Sequence, residues 1–189
     1  MVEYVLLGII AVAVILVLIG QRLNSNQIVA AQLATHKMMF PPQIRNARRV
    51  YWRGLVRQVS GMAGLNLAAK IISGLAGFMA FATIVQQFPL AFGALRIRVL
   101  RLVINFVSEI PYSGLLAAGL AIIAAILWLI MARFQFRQLT AADASHPGGP
   151  NDLYWTPPVQ LRRQYQLKLL THGLILVGAI IYFSFELGR

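Results

Sequence analysis

The residues able to do chemistry in this 189-residue chain are few and widely spaced. Cysteine is absent, which removes thiolate catalysis, disulfides and thiolate metal sites. His36 and His146 have no companion at metal-ligand spacing. His172, within Thr171-His172-Gly173, falls in an apolar run, where an axial histidine can ligate haem or a chlorin. It has no second ligand at i+3 or i+4, so it reads first as a hydrogen-bonded structural histidine and only weakly as a cofactor ligand; no cofactor is expected. The five acids are Glu3, Glu109, Asp143, Asp152 and Glu186, all outside the apolar runs. Proton relays and cation-coupled carriers need a carboxylate within the membrane, so a pump is disfavoured. No G-x-S-x-G, H-E-x-x-H or G-x-G-x-x-G occurs, and the glycine pair Gly148-Gly149 lacks the G-K-[ST] ending of a phosphate loop.

The cations carry more pattern. After Pro41-Pro42, Arg45, Arg49, Arg53 and Arg57 recur at every fourth residue, with Ile44, Tyr51, Leu55 and Val59 on another face. This is a basic amphipathic helix, read as resting on anionic headgroups with Tyr51 and Trp52 as anchors, or else as a docking face for an acidic subunit. Arg96, Arg98 and Arg101 lie among apolar residues and carry the same two readings, anionic lipid or partner contact. Lys70 is the single charge inside an apolar run, with Asn66 and Gly74 one turn to either side. An intramembrane lysine marks a functional site by default, but Lys70 lies two turns from the end of its run, within snorkelling reach.

The elements that must position these residues are membrane spans. Fully 59% of residues are hydrophobic and 12% charged, with 17 Lys and Arg against 5 Asp and Glu and a net charge of +12. A high positive charge also marks nucleic-acid binding. Here the cations flank long apolar runs, which points to membrane topology and away from nucleic acid. The expected fold class is an all-α integral membrane protein, one membrane domain over 1–189. Its four transmembrane helices are placed at about 4–20, 62–88, 113–132 and 169–185, with the basic amphipathic interfacial helix before the second. The inner loops are then 21–61 and 133–168, and within the second, Thr156 caps a helix starting at Pro157-Pro158. Placing both loops inside gives twelve Lys and Arg on the inner side against four outside, so both termini face outward. A rival treats 61–95 as a re-entrant hairpin; its count is eleven against five, and such backbone must be buried in protein.

Ala69, Ser73 and Gly77, and Ala117, Ala121 and Ala125, form small-residue stripes that let helices approach. The functional expectation is a non-catalytic accessory subunit of a multi-subunit complex in a bacterial inner membrane or an organellar equivalent. Its expected partners are membrane lipids, especially anionic ones, and other membrane subunits. The alternatives are a homo-oligomeric channel or carrier, with anions as its candidate cargo, and, less favoured, a lipid-modifying enzyme.

Overall fold

The computed structural model describes residues 8–23, 42–43, 46, 49–50, 53–54, 58–87, 105–107, 109–110, 112–145 and 158–188. Among these the chain is helical, with no strand. We number the long helices α1 (Gly8–Leu23), α2 (Met62–Gln87), α3 (Ser113–Ser145) and α4 (Pro158–Leu187). Three of them, α2, α3 and α4, are long and apolar enough to cross a membrane, the build of a multi-pass membrane protein. In its described part α1 is about 24 Å long at 1.5 Å per residue, short of a hydrocarbon core of about 30 Å. The exact count of four spans therefore rests on sequence.

Local signals set the helix starts. Gly61, at φ 79°, turns the chain into α2, and its carbonyl accepts the Leu65 N–H at 3.0 Å. Glycine meets no Cβ penalty in that conformation. Tyr112, at φ 58°, does the same before α3, its carbonyl accepting the Leu116 N–H at 3.0 Å. From Met62 to Gln87 the helix is unbroken, so a re-entrant turn finds no place within those residues. Beyond Arg133, α3 continues for about three more turns to Ser145, and α4 is helical from Pro158 onward. Much of the stretch between the last two apolar runs is therefore paired helix.

The helices pack antiparallel, with α3 between α2 and α4. At the α2–α3 seam Met79 and Ala82 of α2 pack on Ala117 of α3, and Ala69, Ala76 and Thr83 are also buried on α2. Gly77 is exposed, with open space where a Cβ would stand, and does not join this seam. Helix geometry explains it: steps of four residues advance 400°, so a face drifts about 40° per step, whereas the seven-residue steps Ala69, Ala76, Thr83 drift only about 20°. At one end Val107, fully buried, wedges against Met79, Ala82 and Ala117. Large apolar side chains point outward, among them Leu67, Ile71, Ile123, Ile126 and Val177, as a lipid-facing surface requires.

Where α1 meets α4, a Cβ built on Gly178 would stand 3.1 Å from Ile9 Cγ2. Gly178→Val is expected to cost about 1–3 kcal/mol by overpacking. Ile9→Ala should return part of that loss. Thermal midpoints of the two single variants and the double in mild detergent check this; simple additivity would show that α1 does not pack on Gly178.

Candidate functional site

The polar side chains of the bundle fall at three levels along α3 and α4. The first is where α3 begins and α4 ends. Gly114 is buried there, and a Cβ on it would come within 3.1 Å of both Glu186 Cδ and Tyr182 Oη. Glycine leaves room for these two polar groups close over the first turn of α3, whose free N–H groups and dipole favour a carboxylate.

The second level is an aromatic node about 21 Å further along α3, fourteen residues at 1.5 Å each. The Trp128 indole N–H donates to Ser73 Oγ of α2 at 2.7 Å, and Ser73 Oγ–H donates to the Ala69 carbonyl at 2.6 Å. The other side of Trp128 meets α4, where its ring stacks on His172 at 5.8 Å between centroids and 24° between planes. One side chain thus ties three helices together. The node contains a serine and a histidine, yet not a nucleophile and its base. Trp128 is interposed between them, and the Ser73 proton is directed to a backbone carbonyl. Thr83 and Thr171, the buried hydroxyls, likewise donate to carbonyls four residues back, Met79 at 2.9 Å and Leu167 at 2.8 Å.

The third level is basic. Lys168 Nζ donates to Gln135 Oε1 at 3.0 Å, and beside it Phe136 and Tyr165 stack at 4.5 Å and 13°. Arg133, Arg137, Arg162 and Arg163 are exposed around this pair. Counted from Gly114, Gln135 lies about 32 Å along α3, close to the thickness of a hydrocarbon core. The two polar ends therefore bracket a membrane, with Trp128 inside it.

The residues singled out in the sequence are not gathered into one site. His172 is half-buried against Trp128. Lys70 is exposed on the outward side of α2, with Asn66 half-buried one turn nearer the basic end. Taking Ser73 as level with Trp128, Lys70 lies about 25 Å from the Gly114 level, and its stem spans the remaining distance to the basic one. Arg49 and Arg53 are exposed on short helical pieces of the 42–54 segment, and Arg49 lines a shallow hollow of about 500 Å³ with Pro42, Gln43 and Asn46. Arg45, Arg57, Arg96, Arg98 and Arg101 lie outside the described residues. Among the described residues no three His, Asp or Glu side chains converge on a metal position. Trp128 and Gln135 escaped the sequence reading. The signal for Trp128 was a lone indole N–H in an apolar run, a donor that needs a partner when buried.

Known protein families, characterised proteins and solved structures offer no match to the chain. Among the described residues the geometry shows interhelical ties and a basic rim.

Trp128→Phe and Ser73→Ala each remove the indole–hydroxyl bond. Each is expected to lower stability modestly, with a coupling of about 0.6 kcal/mol and no more than about 1.7, the span measured for such bonds in membranes. A double-mutant cycle on thermal midpoints checks it; zero coupling would mean that the bond adds nothing to packing.

Proposed function

We propose that this chain is a non-catalytic accessory subunit of a larger membrane complex, in a bacterial inner membrane or an organellar equivalent. In this reading α1 is a fourth span, completed by residues before Gly8. Both termini lie outside, the basic loops lie inside, and the arginine-striped 43–60 segment rests on the inner surface.

The observation that carries the proposal is the outward face of α2. Opposite the seam with α3, that helix exposes Leu67, Lys70, Gly74, Gly77 and Phe78 on one side. Nothing lies within 4 Å of a Cβ built on Gly74 or Gly77. Glycines set among large apolar groups leave a depression in which a neighbouring helix can approach closely, and such approach is a main source of helix association in lipid. The absence of a reacting constellation among those residues is in keeping with a supporting role.

The experiment is purification of the full chain in mild detergent, with Gly74→Leu/Gly77→Leu and Lys70→Met as variants. A stable set of unlike subunits is expected with the unmodified chain. It should be lost in the glycine double variant and retained in Lys70→Met. A symmetric ring of this chain alone, conducting anions in reconstituted vesicles until Lys70→Met silences it, would favour the channel instead.

A further inference from the structure

We infer that the basic end of the α3–α4 pair is a binding site for the headgroup phosphate of an anionic phospholipid, centred on Lys168 and Arg133. The inference rests on α3 and α4 spanning the membrane and is independent of the accessory-subunit reading, since it concerns a surface on the far side of α3 from the outward face of α2.

The first argument is depth. Measured along α3 from Gly114, Arg133 lies about 29 Å away and Arg137 about 35 Å. Measured along α4 from Glu186, Lys168 lies about 27 Å away, Arg163 about 35 Å and Arg162 about 36 Å. All five cations thus fall in a band about 9 Å deep. With the Glu186 level at one hydrocarbon boundary, the other boundary lies about 30 Å away and the headgroup layer occupies the next 5–7 Å. The band straddles that boundary: Arg137, Arg162 and Arg163 lie in the layer, and Lys168 and Arg133 lie about 1–3 Å short of it, a gap their stems span. Both helices run on past it, to Ser145 and back to Pro158, so the cations are set at phosphate level and not at the helix tips.

The second argument is charge. From Met131 to Ala141 on α3 and from Pro158 to Lys168 on α4 there is no acid. Asp143, the next one along, lies about 44 Å from Gly114, beyond the headgroup layer. Four of the five cations are exposed, while Lys168 is half-buried in the seam with the neutral Gln135 amide as its hydrogen-bond acceptor. An ammonium has three donors. A neutral amide satisfies one of them and leaves the charge itself uncompensated. Arg133 lies level with Lys168 on the adjoining helix. A guanidinium and an ammonium at one height present the forked and point donors that phosphate oxygens accept.

The third argument is the wall. Phe136 and Tyr165 stack across the same seam within the band, and stacked rings at the interface fix the two helices at headgroup level. The seam thus carries a stacked aromatic pair at the depth of its cations, a combination suited to one retained lipid. Basic pockets between helices at this level bind anionic headgroups.

The test uses the full-length chain in mild detergent. It is titrated with phosphatidylglycerol or with phosphatidylcholine of the same acyl chains, and bound lipids are counted by native mass spectrometry. At least one phosphatidylglycerol is expected to be retained in preference to phosphatidylcholine. Lys168→Gln/Arg133→Gln should reduce that preference by about five-fold per cation removed. Arg133→Lys/Lys168→Arg, which keeps both charges, should hold it within about two-fold. Should the glutamine pair fail to fold, Arg133→Gln/Arg162→Gln changes only exposed groups and should reduce the preference comparably. Equal retention of the two lipids, or an undiminished preference in the foldable glutamine variants, would overturn the inference. Binding of a soluble acidic peptide at these residues without any lipid preference would overturn it in favour of a protein-docking face.

Discussion

The hydrocarbon slab governs this molecule. A chain crossing it has no water to satisfy its backbone, so each crossing segment must close its own hydrogen bonds as helix. Polar side chains are then pushed to the two faces of the slab. In α3 and α4 these limits are visible as two rings, Glu186 and Tyr182 over Gly114 at one end and Lys168 with Gln135 at the other. Their separation of about 30 Å matches the slab. The outward exposure of Ile123, Ile126 and Val177, unfavourable in water, costs nothing beside lipid tails.

Inside the slab, apolar burial no longer drives association, because lipid is as apolar as leucine. Close packing and the few available hydrogen bonds take over. Ala69, Ala76 and Ala82 let α2 approach α3, and Gly178 lets α1 approach α4. A polar tie between helices is the Trp128 node, which passes a donor from α3 to Ser73 and a ring face to His172, so that three helices share one register. Its hydroxyl and imidazole are occupied in holding helices together.

Several of these features are legible in one dimension. Apolar runs and flanking cations give the membrane class and the positions of α2, α3 and α4, since both follow from transfer energies alone. The length of α3 past Arg133 is harder to read. Phe134-Gln135-Phe136-Arg137 is too polar for a span, yet it continues as helix because α4 runs alongside, through Phe136 on Tyr165 and Gln135 on Lys168. Pairing of that kind depends on which residues two helices bring level, and periodicity within one helix does not encode it. The same holds for Trp128 and Ser73, fifty-five residues apart. Gly77 shows a subtler limit. Spacing by four suggests a shared face with Ala69 and Ser73, but the drift, about 80° over two steps, carries it off the seam to join Gly74 on the exposed side of α2.

The placement of the slab is tested most directly by depth along α3. The chain has no cysteine of its own, so nitroxides can be introduced singly at the outward-facing positions Leu116, Ile123, Ile126, Ile130, Phe134 and Arg137. Reconstituted in bilayers, the ratio of oxygen to nickel-chelate accessibility is expected to peak at Ile123 and Ile126. It should fall towards Leu116 on one side and Phe134 on the other, with free nickel access at Arg137. A peak at Phe134 or beyond, or a profile without depth dependence, would place the slab elsewhere and contradict the arrangement of both polar rings.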